Sequence, residues 1–572
     1  MYRKNDQHQQ GYLFSSVTDL PKKQRERLEQ SWAATFYRDF FSRIDEDVFE
    51  VLYSDKASRP NVPVNVLVSL EALKAGFGWS DAELEEQLAF NIQTRYALGY
   101  RDLTVGHVEL RTVYNFRRRL AQYMQATGKN LLEAAFEQVT DEQISVLKLK
   151  TGKLRMDSVQ IASNIRQMSR LQLLVEVLQR VWRMLTEVDQ AQYAGVFEPY
   201  TQGTSGQYTY RLEPGEGHSH LEAIGQVLRR LVSELAADYG AEAAYAVLER
   251  VYHEHFSEVE QAVRPKAGTD LSAQSLQSPD DLEATYRQKR GVGYQGYVTN
   301  VTETCDLENG LQLIVKVQSA PNSTDDATLL NEVVPNLVER THVEELHTDG
   351  GYNSADVDAT LTAHGIEQFQ TAIRGAQAAT NHLSVSDFVF SRDAEGVPQT
   401  VTCPQGQQVA VLPARNPKRF TALFDATLCA DCPLLAQCPT RSLRRKPYRV
   451  LRFTQQAANV AHRRANQRQA KASRHNLRSA VEATVRSLKH PFGNAKLSVR
   501  GLIRVSMTMV ASACMTNVRR ISRYQQAKIS IQSTLMTAEN SLTRIGSHLF
   551  QAVLRPVFHW VAILSQPLAT AA

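Results

Sequence analysis

The chain has 572 residues, 43% of them apolar, and a formal net charge of +5. That length predicts two to four structural units, with apolar residues enough for ordinary buried cores. No run of about 18 residues lacks charges and turn formers, which argues against a membrane-spanning helix; the nearest candidate, Leu549 to Leu564, is shorter and contains Arg555, Pro556 and His559.

The N-terminus (MYRKNDQHQQGYLF) has no apolar run of signal-peptide length, so a cytoplasmic protein is expected. Residues 15 to about 125 read as helical. Val66, Leu67, Leu70 and Leu73 form a helix-period stripe. Ser80 followed by Glu83 has the form of a capping box for a helix through Leu84 and Leu88. Tyr114 to Tyr123 mixes basic and aromatic residues on the same period. A plain helical bundle and a helical DNA-binding module account equally well for this region.

The pattern changes at Ser145. Ser145 to Lys150 and Leu154 to Val159 predict two strands joined by a turn at Thr151-Gly152, with Asp157 near the end of the second. Helical periodicity returns over Gln167–Val188 and Leu221–Val263. A polar, Gly-rich connector lies between these stretches, and its His218 and His220 are expected to face solvent. Trp182 and Trp560 are expected in cores. Strands are predicted at Gly293–Val301 and Leu311–Val317, a helix at Asp326–Arg340, and a short strand at Val343–Asp349 that Gly350-Gly351 ends. Lys289 and Tyr294 fit a strand edge as well as a DNA contact. Strands alternating with helices predict an α/β core.

Cys403, Cys429, Cys432 and Cys438 fall within a 36-residue window, three of them followed by proline. In a reducing compartment four such thiols fit a structural Zn2+ site better than disulfides. Cys305 and Cys514 lack neighbouring thiols and are expected in the core.

Between Arg441 and Lys528 there are 21 Lys plus Arg and a single acid, Glu482, so this block carries +20 and the remainder −15. A surface so basic gains counterion-release free energy on a polyanion, which points to nucleic acid. Glu482 is then the anomaly. One explanation is an ion pair with Arg478 or Arg486, four residues to either side. The other is a metal ion that masks its charge. Asp157 and Asp349 at strand ends are turn starters or N-caps in most proteins. Together with Glu482 they make an oxygen donor set suited to Mg2+ or Mn2+.

His475-x2-Arg478-x3-Glu482-x6-Lys489 resembles the Tyr-x2-Arg-x3-Glu-x6-Lys signature of insertion-sequence DDE transposases, with His475 in place of Tyr. Leu154 to Ser158, Asp280 to Lys289, Gly293 to Tyr297, His347 to Asn353 and the helical region around Pro63–Arg119 are similar to further parts of that family. The resemblance implies an α/β fold with an RNase H-like catalytic core. The expected divisions are a helical DNA-binding domain (1–140), core segments at 141–165, 286–383 and 456–530, a helical insertion (166–285), a small Cys-rich insertion (384–455) and a tail (531–572). It implies that Asp157, Asp349 and Glu482 bind two Mg2+ (or Mn2+) ions and catalyse DNA cleavage and strand transfer. Arg478, Lys489, His475 and Arg486 would contact DNA phosphates, with Arg478 and Lys489 on roughly the helical face of Glu482. Terminal inverted repeats and target DNA are the implied partners of a bacterial, nucleoid-associated homodimer with no membrane partner. A catalytically silent DNA-binding derivative and a nuclease on the same fold are the alternatives.

Overall fold

The computed structural model describes residues 2–10, 15–54, 56, 60–260, 262–289, 291–373, 381–416, 418–472 and 476–543. Trp560 and the candidate membrane run therefore lie outside the described residues. Among the described residues no helix is long and apolar enough to cross a membrane.

The N-terminal region is helical as its periodicity predicts. Helix α1 (Val64–Phe77) is buried along most of its length, and Ser80 and Glu83 form the reciprocal capping box read from the sequence. The helix Leu131–Leu147 corrects one expectation. It runs straight through Ser145, the start of an expected strand, and ends where Lys148 adopts a left-handed conformation at φ 52°. Its buried residues Leu132, Ala135, Phe136 and Val139 keep helical spacing, and that continuous stripe outweighs the short alternation of Ser145–Lys150.

The central sheet is built on β1 (Lys153–Ile161), β2 (Val292–Thr304), β3 (Ile314–Pro321), β4 (Glu345–Thr348) and β5 (Glu367–Gln370). Their order is β3-β2-β1-β4-β5. β1, β2 and β3 pair antiparallel, whereas β4 and β5 run parallel to β1. A sixth strand, Thr285–Lys289, pairs with the opening residues of β2 and carries Lys289 opposite Val292. Helices α2 (Asp326–Thr341) and α3 (Ala355–Ala363) cover one face, burying Leu154, Met156 and Leu346. The other face is covered by α5 (Val481–Lys489) and α6 (Leu502–Thr543). There Ile161, Tyr297, Val301, Leu488 and Val510 join the N-terminal helices in one continuous core. Cys305 and Cys514 are buried, as expected.

Residues 170–255 fold mainly into helices around a cluster of their own. Trp182 is partly buried and packs on that cluster beside Phe197. The connector holds a short helix, Ser205–Tyr210, and His218 and His220 sit in the first turn of Gly217–Glu234. His218 faces solvent beside Glu222, while His220 instead bonds Tyr208. The helix expected to continue to Val263 stops at His255, and Phe256–Val259 pairs with Ala262–Pro265 as a hairpin. Phe256 and Val263 point into the cluster beside Gly225, alternating in a way a helix would not allow.

The Cys-bearing stretch is a second, antiparallel six-stranded sheet that the sequence did not reveal. Phe388, Phe390, Phe424 and Phe453 form its core. Helix α4 (Gln455–Ala472) leads from it back to the central sheet, where Asn466 Nδ2 donates to Gln368 O at 3.2 Å.

Gly78 locks α1 to the turn after α5. It ends α1 at φ +72°, and a Cβ there would stand 1.9 Å from Pro491 O. Gly78→Ala is therefore expected to destabilise the protein by about 2–4 kcal/mol in urea titration. Gly128→Ala, at φ +73° with nothing within 4 Å, should cost only about 1 kcal/mol.

Candidate active site

Asp157 and Asp349 are brought together by strand register. Arg155 on β1 pairs in parallel with His347 on β4. Two residues further along each chain come Asp157 and Asp349, close enough for the Asp349 charge to act on the Asp157 carboxyl. Asp349 lies just past the end of β4, where its Oδ1 accepts from Gly351 N at 2.7 Å. A Cβ on Gly351 would sit 2.6 Å from Asp326 Oδ2 and 2.9 Å from Asp349 Oδ1. Glycine is required there by the close approach of two carboxylates.

Glu482 arrives from α5, which packs on β1. The helix starts only at Val481. Residues 477–480 form a turn, so Arg478 precedes the helix instead of sharing its face. From that turn Arg478 Nη2 reaches Asp157 Oδ2 at 2.8 Å and Nη1 reaches Glu482 Oε1 at 2.9 Å. The guanidinium therefore bridges two of the three carboxylates. Its side chain is 15% exposed and that of Asp157 13%, whereas Glu482 is 63% exposed and open to solvent. Burial pushes the Asp157 carboxyl above its ordinary range; Arg478 partly offsets this and Asp349 adds to it. Burial opposes the Arg478 charge too, but Asp157, Asp349 and Glu482 outweigh it and hold the guanidinium above its usual value.

The other predicted contacts divide. Lys489 Nζ donates to Gln160 O at 2.9 Å, and burial lowers its pKa. It braces α5 against β1. Arg486 is exposed, and Arg478 rather than Arg486 is the ion-pair partner of Glu482. His475 lies outside the described residues.

Sequence reasoning missed the groups that support the site. Asp326 is buried at the start of α2, and its Oδ1 accepts from Ser158 Oγ at 2.7 Å. In the sequence it marked only the start of the helix expected over Asp326–Arg340, and its burial sets it apart. Glu303 on β2 is fully buried and accepts from Arg155 Nε at 2.6 Å, from Arg520 Nη1 at 2.7 Å and from Thr484 Oγ1 at 2.7 Å. Arg155 Nη1 also donates to Leu477 O at 2.9 Å. This network ties the sheet to the turn carrying Arg478, to α5 and to α6. Glu303 is flanked by Thr302 and Thr304, beyond the strand expected to end at Val301, so nothing local marked it as buried.

The four cysteines surround one enclosed cavity of about 30 Å³. Cys403 follows a strand, Cys429 lies in the short helix Ala426–Ala430, and Cys432 and Cys438 flank the next turn. Burial raises the Cys429 thiol; Arg449 opposes this, and the other three sulfurs add to it. Among the described residues no three acidic, thiol or imidazole groups stand close enough as placed to hold a metal ion.

Residues 402–522 match the family described as Transposase DDE domain, and residues 24–119 match Transposase domain (DUF772). The first match includes Arg478 and Glu482, and the second covers α1 and the capping box. No curated protein matches the chain, and no solved structure does. A DDE domain implies dependence on divalent metal in general.

Two outcomes test this geometry. A carboxyl group whose native pKa exceeds its unfolded value binds its proton more tightly in the fold. Its contribution to stability is thus fully present below about 3.9 and declines as pH rises toward the native value. Asp157→Asn should therefore melt at or above the wild-type temperature at pH 7, with the gap closing below about pH 4; a lower melting temperature at pH 7 contradicts the assignment. Glu303→Gln leaves two buried guanidiniums under-neutralised and should cost about 3 kcal/mol or more, read from the urea midpoint.

Proposed function

Because this chain is an insertion-sequence DDE transposase, we propose that it binds the ends of its own element and performs metal-dependent DNA cleavage and strand transfer with Asp157, Asp349 and Glu482. The observation carrying this reading is the Arg478 bridge. It joins Glu482, 133 residues downstream of Asp349 in sequence, to Asp157, which the strand register aligns with Asp349. The strand order β3-β2-β1-β4-β5, with its antiparallel half and parallel half, supports an RNase H-like core with Asp157 on the central strand β1 and Asp349 just past the end of its parallel neighbour β4.

The donor set fits divalent cations such as Mg2+. It is all oxygen, it is shielded on the sheet side and open at Glu482, and a cationic group already stands between two of its members. When bound, two such ions polarise the attacking and leaving oxygens of an in-line phosphodiester displacement. The protein's share is positioning and charge. Asp157 and Asp349 are held by backbone register, and Gly351 admits their close neighbours. Glu303 fixes the turn and helix that deliver Arg478 and Glu482. Arg478 balances the carboxylates and is placed to neutralise a phosphate brought among them. The reaction is two successive displacements at phosphorus. Water first frees a 3′-hydroxyl at the element end, and that hydroxyl then attacks target DNA. A homodimer pairing two ends belongs to the same reading.

The Cys-bearing sheet is read as a Zn2+-stabilised module. Four thiols lining one small cavity suit a closed tetrahedral site. Protein purified without added metal should contain about one zinc per chain, and Cys432→Ser should lower both the zinc content and the melting temperature. A zinc content near zero removes this part of the reading.

Incubation with Mg2+, DNA carrying the element ends and a target plasmid is expected to give both end cleavage and joined products. Glu482→Gln should reduce both by roughly 10²-fold or more. Cleavage without joining would identify a nuclease. Binding without cleavage would identify a catalytically silent DNA-binding protein.

A further inference from the structure

A cleft of about 650 Å³ lies between the N-terminal helix Lys22–Glu29 and α6, away from the carboxylates in sequence. Its walls are two rows of side chains at helical spacing. Lys23, Arg27 and Gln30 line one wall and Arg519, Arg523 and Gln526 the other, each row at i, i+4 and i+7. Gln526 Nε2 donates to Gln30 O at 3.0 Å and clamps the rows together at one end. Arg519 is fixed in place, with Nη2 donating to Gly76 O at 2.7 Å and its guanidinium 4.8 Å from the Phe77 ring centroid.

The charge in this cleft has no internal answer. Among the described residues none of Lys23, Arg27, Arg519 and Arg523 forms an ion pair. The single acid in the lining, Glu26, lies 3.9 Å from Lys22 across an exposed gap. Burial lowers the Arg519 pKa, and Arg523 lowers it further, so two guanidiniums are held near one another with no carboxylate between them. A protein that needed this cleft only for packing would place an acid there, because like charges repel and buried cations are costly. The chain's own last 29 residues do not supply the missing charge, since 544–572 contain no Asp or Glu.

We propose that this cleft is a track for the sugar-phosphate backbone of duplex DNA, a contact additional to the carboxylate site. Four residues advance a helix about 6 Å, on the order of the direct spacing between successive phosphates of one DNA strand, which turn around the axis as they rise along it. Each cationic pair thus suits successive phosphates, while the amides of Gln30 and Gln526 suit phosphate oxygens nearby. Contact here is electrostatic and independent of base sequence. The cleft shares α6 with the site, because Arg520, next to Arg519, holds Glu303. The inference rests on the proposed action on DNA.

The test uses the full chain in EDTA, so that binding is separated from chemistry. Affinities for an element-end duplex and for an unrelated duplex of equal length are measured by fluorescence anisotropy over a range of salt. The triple variant Lys23→Gln, Arg27→Gln, Arg523→Gln changes only exposed side chains, and its melting temperature is checked against wild type. The variant should lose affinity for both duplexes alike, with the slope of log K against log salt shallower by about 3. Restoring charge with Arg27→Lys and Arg523→Lys, Lys23 being kept, should return most of the slope. Wild-type slopes in the triple variant overturn the track, as does a loss confined to the element-end duplex. If the wild-type chain binds neither duplex at low salt, the underlying DNA reading fails instead.

Discussion

Glu303 lies at the centre of the fold with no exposure to water, and a buried carboxylate is tolerable only when its lone pairs and charge are answered. Arg155 from β1, Arg520 from α6 and Thr484 from α5 supply those answers. Four elements remote in sequence are thereby fixed at one point. Arg155 also holds Leu477 O, so the same interaction sets the turn from which Arg478 reaches out. Apolar packing of α5 on the sheet brings that helix into place but leaves it free to slide. The charged hub is directional and removes that freedom. Whether it also adds net stability is a separate matter, since buried ion pairs often only offset their own desolvation.

With that turn fixed, the electrostatics of the site follow. Asp157 is pushed up by burial and by Asp349, so two acids on adjacent strands need a cation. In the free chain Arg478 fills that need for Asp157 and reaches Glu482 as well. The single acid in a block of +20 is thus explained locally, as the partner of a guanidinium, and functionally, as the exposed end of a carboxylate set. The ion-pair explanation of Glu482 is met by Arg478 Nη1 at 2.9 Å, and the proposed metal centre would put a further cation among the same carboxylates.

The parts of this arrangement legible in the sequence were those with local causes. The capping box at Ser80 and Glu83 is a backbone-level signal and appears as read. The strand carrying Asp157 and the strand end before Asp349 followed from β-rich runs, but Asp157 lies in the middle of Lys153–Ile161 rather than near its end. Long-range causes stayed hidden. Ser145–Lys150 alternates like a strand, yet the apolar stripe before it carries the helix onward. The hairpin at 256–265 is formed by packing on the inserted helices. The tie from Lys489 to Gln160 O on β1 joins residues 329 apart in sequence. Asp326 and Glu303 carried no mark of their roles in the sequence, because burial is a property of the folded chain. The antiparallel sheet around the cysteines was masked by its short strands and many turns.

The central claim is that Asp157, Asp349 and Glu482 form one divalent-metal centre whose place Arg478 now occupies. Anomalous diffraction from crystals of the protein soaked in Mn2+ addresses it directly. The account predicts two peaks among these carboxylates, about 3.5–4 Å apart, with the Arg478 guanidinium moved off Asp157 or Glu482. A Mn2+-soaked crystal with no peak there, and Arg478 still bridging both acids, would contradict it.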